Sequence, residues 1–254
     1  MALEALIFDV DGTLADTERD GHRIAFNAAF SEFGLSWNWD VELYGKLLAV
    51  TGGKERIKYF VEQFHPAYVK PKDFDELVVM LHKAKTSHYT DMLANGGIPM
   101  RPGVVRLLNE ARKAGLRLAI ATTTTPENVT ALLKNSLDKD AERWFEVIAA
   151  GDIVPAKKPA PDIYLWALEK MNLNAVNCLA FEDSENGIKS SLGAGLKTLI
   201  TVNDYTAGHD FKGALAVLSD LGEPQKPFQV LSGDVRGASY VNLDLLQYWH
   251  SKAL

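Results

Sequence analysis

The chain holds a single cysteine, Cys178, in 254 residues, which excludes an intrachain disulfide and fits a reducing compartment. Cys178 lies in the apolar run Cys178-Leu179-Ala180-Phe181 and reads as a small core residue rather than a reactive thiol. Long hydrophobic runs are also missing. Leu3–Phe8 is far shorter than the roughly 20 residues a membrane helix needs and carries no basic n-region, so neither a span nor a signal peptide is expected. Basic charge is in deficit, with 27 Lys and Arg against 33 Asp and Glu and a net charge of −6. That balance gives no reason to expect a nucleic acid or an anionic membrane as partner. An anionic small molecule would need Lys and Arg gathered locally. With 47% apolar and 24% charged residues the composition is globular, and a cytoplasmic monomer is expected.

Apolar runs at Ala5–Phe8, Leu116–Thr122, Val147–Ala150, Asn177–Phe181 and Lys197–Val202 read as short buried strands. Helical patterns separate most of them: Val104, Leu107, Leu108 and Ala111 closed by Gly115, then Asp162–Met171 and Gly187–Ala194. Alternating strands and helices predict an α/β fold with a doubly wound parallel sheet. Residues 16–96 are different. Phe26, Ala29, Phe30 and Phe33 follow helical spacing, and Leu77, Met80, Leu81, Ala84 and His88 outline a second long helix. A stretch this long without a strand exceeds a loop and predicts an inserted helical domain. The core then comprises residues 1–15 and 97–254, with Gly96-Gly97, Pro99 and Pro102-Gly103 as the hinge. After Tyr205 the pattern weakens, and residues 241–254 read as a terminal helix.

Chemistry gathers where the strands stop. Asp9-Val10-Asp11-Gly12-Thr13 follows the first strand, at the carboxyl edge where open parallel sheets bind ligands. Two such close carboxylates either sit in a solvated Asp-Gly turn or are neutralised by a hard divalent cation such as Mg²⁺. Thr122-Thr123-Thr124-Thr125 ends the second run; it reads as a phosphate cradle before a helix, or simply as β-branched strand residues. Lys157-Lys158-Pro159-Ala160-Pro161 follows the third and Glu182-Asp183-Ser184 the fourth. Alone, the lysine pair is a solvated loop and the acid pair a helix cap. The recurrence of acid pair, hydroxyl, lysine and acid pair at successive strand ends favours one shared site.

These residues resemble the haloacid-dehalogenase superfamily of phosphotransferases, through Asp9-Val10-Asp11-Gly12-Thr13, Thr122, Lys158 and Glu182-Asp183. The resemblance covers nearly the whole chain and implies a Rossmann-like core with a small α-helical cap. Asp16-Thr17-Glu18, His22-Arg23, Gly52-Gly53-Lys54-Glu55-Arg56 and Lys85 are similar to the CbbY type. That similarity implies a phosphatase for sugar bisphosphates, notably xylulose 1,5-bisphosphate, a Rubisco inhibitor, and so a link to the Calvin cycle. It further implies that Asp9 is the nucleophile and Asp11 the acid and base, with a raised pKa as a substrate-bound acid. Thr122 and Lys158 would hold phosphoryl oxygens, with Thr123 and Thr124 beside the substrate. Mg²⁺ would lie on Asp9, the Asp11 backbone carbonyl and Asp183, with Glu182 in or near its shell.

In the cap, Gly53, Lys54, Arg56 and Lys85 would meet a second phosphate, while Glu18 and His22 hydrogen-bond sugar hydroxyls. Lys85, one position off the Leu81–His88 stripe, is expected to be exposed. His88 reads as a core or boundary residue. Two rivals remain: a β-phosphoglucomutase or another sugar-monophosphate phosphatase, and a catalytically inactive metabolite-binding regulator.

Overall fold

The computed structural model describes residues 2–252. The first apolar run forms β1 (Ala5–Phe8), buried throughout. Strand alternation sends Leu6 and Phe8 into one apolar cluster and Ala5 and Ile7 into another, so both faces are covered and the run needs no polar positions. The expected strands follow as β2 (Arg117–Ala121), β3 (Val147–Ala149), β4 (Cys178–Glu182) and β5 (Lys197–Thr201). Two short strands, β6 (Ala216–Leu218) and β7 (Val230–Gly233), extend the sheet. The order is β3-β2-β1-β4-β5-β6-β7, parallel except for the β6–β7 pair. Chain order reverses around β1, which places the ends of β1 and β4 side by side at a switch point.

Between β1 and β2 the chain makes a π-helical turn over Glu18–His22 and four helices: α1 (Arg23–Glu32), α2 (Val41–Leu47), α3 (Gly53–Gln63) and α4 (Phe74–Gly96). They enclose an apolar cluster rich in aromatics, where Trp39 packs on Phe26 and Phe30 at 4.7 and 4.8 Å between ring centroids. The remaining helices α5 (Val104–Lys113), α6 (Pro126–Ser136), α7 (Asp162–Met171), α8 (Glu185–Gly193) and α9 (Leu243–Ser251) flank the sheet. On one face lie α5, α6 and α9, and on the other α7. Residues 253 and 254 of the expected terminal helix lie outside the described residues.

The inward face of α4 differs from expectation. It runs through Phe74, Val78, Leu81, Lys85, Tyr89 and Leu93, one residue on from Leu77, Met80, Ala84 and His88. Met80 is 47% exposed and Lys85 only 4%. The face contains a charge because charge awaits it: the Lys85 ammonium reaches the His22 ring and lies 5.2 Å and 5.1 Å from the centres of Phe26 and Tyr89. His88, at the boundary, meets Glu32.

Outgoing and returning strands of the insert are tied where they cross. Ala15 bridges Met100, and the Arg101 N–H donates to the Leu14 carbonyl at 2.9 Å. The buried Arg101 guanidinium donates to the carbonyls of Gly12, Thr201, Val202 and Ser219 and pairs with Asp16 at 3.2 Å. Arg101→Met would leave those carbonyls without their donor. A stability loss of about 3 kcal/mol is expected, measured as a lowered urea midpoint; a loss below about 0.5 kcal/mol, the range of ordinary surface changes, would refute this role.

Candidate active site

Asp9 leaves β1 with its N–H still bonded to the Phe181 carbonyl of β4 at 3.0 Å, which holds it beside the end of that strand. Lys158 arrives from the loop after β3. Its ammonium donates to Asp9 Oδ1 at 2.6 Å, Glu182 Oε1 at 2.6 Å and the Ala121 carbonyl at 2.9 Å. Three protons thus meet three acceptors. Burial opposes the charge on Lys158, but Asp9 and Glu182 outweigh it and raise the pKa. The neighbouring Lys157 turns outward to Asp152 and Glu55, so the lysine pair divides between site and surface.

Carboxylate oxygens of Asp9, Glu182 and Asp183 all lie within 4.8 Å of one another. Burial first, then Glu182 and Asp11, push Asp9 up to about 8 against the pull of Lys158. Burial, then Asp9 and Glu182, raise Asp183 well above the ordinary carboxylate range. Three carboxylates sharing one ammonium are short of positive charge, and their hard oxygens fit a divalent cation. Glycines make the packing possible. Gly12, at φ +83°, would bring a Cβ within 2.3 Å of Asp183 Oδ2, and one on Gly187 would lie 1.9 Å from Glu182 Oε2.

Asp11 turns toward the cap. Its Oδ1 accepts from the Thr17 hydroxyl at 2.5 Å and lies 2.9 Å from His22 Nε2. Lys85 Nζ, which can only donate, lies 2.8 Å from His22 Nδ1; the ring proton therefore sits on Nε2 and points at Asp11. The raised pKa is expected of Asp11 as a substrate-bound acid; its contacts within the protein act the other way. Burial alone would raise it, but His22, Thr17 and Lys85 together hold the carboxyl below its ordinary value. Burial also draws Lys85 down to about 8.

The roof of the site is a second polar chain. Tyr44 donates to Glu18 at 2.5 Å and accepts from Arg56 at 2.8 Å. Arg56 Nε is buried and has no partner among the described residues. Between this roof and the strand ends lies a cavity of about 300 Å³ lined by Asp9, Asp11, Glu18, Arg56, Thr122, Thr123, Lys158, Glu182 and Asp183. His22, Gly53, Lys85 and Thr124 line an adjoining recess. Lys54 lines neither: it pairs with Asp152 of the core at 2.5 Å, because an exposed carboxylate lies within reach on the far side of α3.

The sequence pattern assigns no role to Tyr44, Tyr164 and Asn203, and none to Thr17 beyond its place in Asp16-Thr17-Glu18. Tyr164 donates to Glu182 at 2.6 Å from within the apolar face of α7, a position that pattern alone assigns to packing. Asn203 was findable, since it follows the run Lys197–Val202 at a strand end like the other polar groups.

Among the described residues no helix is long and apolar enough to cross a membrane. A model of the haloacid dehalogenase-like hydrolase family matches residues 3–195. The plasmid-borne protein CbbY of Cupriavidus necator is 46% identical over 254 residues, covering 99% of this chain and 98% of that protein. A crystal structure of an aspartate-to-asparagine variant of CbbY from Rhodobacter sphaeroides, in complex with xylulose-(1,5)bisphosphate, is 43% identical with a TM-score of 0.79. It covers 86% of this chain and 94% of that one. β-Phosphoglucomutase from Clostridium difficile shares the fold, at 22% identity and a TM-score of 0.69, over 85% of this chain and 90% of that one. With its strand-end residues converging on one cavity under a helical cap, the chain belongs to the haloacid dehalogenase-like hydrolase family and is an enzyme of the phosphoric monoester hydrolase kind.

Proposed function

We propose that this enzyme is a Mg²⁺-dependent sugar-bisphosphate phosphatase with xylulose 1,5-bisphosphate as its substrate. The observation that carries this reading is the buried Asp9–Lys158–Glu182 cluster facing Arg56 across one cavity. One end of a bisphosphate meets the nucleophile while the other meets a guanidinium with an unused donor. The sugar bisphosphate bound by the similar CbbY structure supports the same substrate class.

Asp9 attacks phosphorus, and the bond to the sugar oxygen breaks as the aspartyl-phosphate forms. Asp11 protonates the departing oxygen and then takes the proton of the water that attacks the intermediate, which releases phosphate and restores Asp9. Thr122 and Lys158 hold the phosphoryl oxygens throughout. Asp9, the Asp11 backbone carbonyl and Asp183 would hold Mg²⁺, with Glu182 beside it. When bound, the cation supplies positive charge to the transferring phosphoryl group and lets Asp9 react as an anion. Glu182 also fixes Lys158, as Tyr164 fixes Glu182. Glu18, held by Tyr44, faces the sugar hydroxyls, and His22 holds Asp11 in place.

Phosphate release should be strongest with xylulose 1,5-bisphosphate, weaker with ribulose 1,5-bisphosphate and β-glucose 1-phosphate, and lost in excess chelator. Conversion of β-glucose 1-phosphate to glucose 6-phosphate with little free phosphate would establish a mutase instead. Asp9→Asn should lower kcat at least about a thousandfold with an unchanged circular-dichroism spectrum; turnover near wild type would remove the nucleophile role. Arg56→Ala is expected to raise KM for the bisphosphate by at least about tenfold more than for a monophosphate, the scale of one charged contact. Lys54→Ala, which removes only an exposed pair, should shift both about equally.

A further inference from the structure

The loop after β5 touches the acidic triad and the cap with three consecutive residues. Asn203 Nδ2 donates to Asp183 Oδ2 at 2.7 Å, while its Oδ1 accepts the Tyr205 backbone N–H at 2.9 Å. Because that N–H can only donate, the amide has one orientation, with its NH₂ toward the carboxylate. A third bond, from the Asn203 N–H to the Thr206 hydroxyl at 3.0 Å, closes the turn. Asp204 pairs with Arg19 of the cap at 3.0 Å. The Tyr205 ring packs edge-on against Tyr44, with centroids 6.1 Å apart, and joins the cap's aromatic cluster. It also lies over Gly45, where a Cβ would meet it at 3.2 Å. Tyr44 in turn bonds Glu18 and Arg56 in the roof of the cavity.

We infer that Asn203 is a positioning residue for Asp183, and that the Asn203–Tyr205 loop couples cap docking to cation binding. One oxygen of Asp183 is held by the amide, which limits rotation of the carboxylate. Partners of this kind restrict a ligand's rotation and tune its affinity for metal. Docking of Tyr44 against Tyr205 orders the same loop that holds the amide in place. Cation binding and cap docking therefore strengthen each other by the same factor. Hydrophobic packing alone does not require an asparagine here; the carboxylate and the backbone N–H on its two sides do.

This inference rests on the reading that the triad takes Mg²⁺, so titration calorimetry of the wild type with Mg²⁺, without substrate, comes first. No uptake would sink that reading and the inference with it. Given uptake, Asn203→Ala should weaken Mg²⁺ binding by about tenfold or more, with a melting temperature in chelator close to wild type. Asn203→Ser keeps an acceptor for the Tyr205 N–H but cannot reach Asp183; it should show the same loss and serves if the alanine variant fails to fold. Wild-type affinity in a folded Asn203 variant would overturn the positioning role. Tyr205→Ala leaves the Asn203 bonds in place and should still weaken Mg²⁺ by at least about threefold, within the usual range of coupling. Unchanged affinity there would overturn the coupling to the cap.

Discussion

The Lys158 ammonium binds three adjacent strand ends at once. Asp9 closes β1, the Ala121 carbonyl closes β2 and Glu182 closes β4, and each accepts one of its protons. Removing one partner of such a buried cluster typically costs 3–5 kcal/mol, because the charge left behind has no solvent to face. Around this cluster the carboxyl edge of the sheet can hold its acidic groups in a buried pocket. Tyr164 and the absence of a side chain at Gly187 then fix the Glu182 carboxylate on either side.

Asp11 is governed from the other direction. Its carboxyl belongs to the core by sequence, yet the groups it meets, Thr17 and His22, lead into the cap, with Lys85 of α4 behind them. Two donors and a nearby ammonium favour its anion, while burial favours its neutral form. The balance depends on where the cap sits. With these contacts made, Asp11 holds a proton weakly; with them loosened, burial pushes its proton affinity upward. In the proposed reaction Asp11 gives a proton in one step and takes one in the next, and such a group gains from a partner able to move. Ala15 and Met100, bridged where the chain enters and leaves the insert, are fastened to the core by Arg101.

Strand ends were the legible part of this chain. A parallel strand covered on both faces must be apolar throughout, so the first polar residue after each run marks the carboxyl edge, and Asp9, Thr122 and Glu182-Asp183 stand out without any contact map. The short strands β6 and β7 give no such signal. They contain three and four residues, and β7 is exposed along its whole length. The face of α4 was misread by one position because hydropathy treats lysine as a surface residue, whereas Lys85 is buried against aromatic rings and an imidazole. Tyr44 and Tyr164 escaped for the opposite reason. Their rings belong to apolar faces, and only the hydroxyls act in the site.

Charge balance ties these parts together. Around the cavity and its recess, leaving aside Glu185, which pairs with Lys189 at 2.5 Å, the carboxylates of Asp9, Asp11, Glu18, Glu182 and Asp183 face the basic groups of Arg56, Lys85 and Lys158. With all five ionised, two negative charges remain unmatched, in a chain whose net charge is already −6. Burial first, and the neighbouring carboxylates after it, shift Asp9 and Asp183 upward. In the proposed reaction one divalent cation would offset two charges and leave Asp9 unprotonated. Under the proposed function, a metal on the acidic triad would leave Arg56, Lys85 and Lys158 free to meet an anionic substrate.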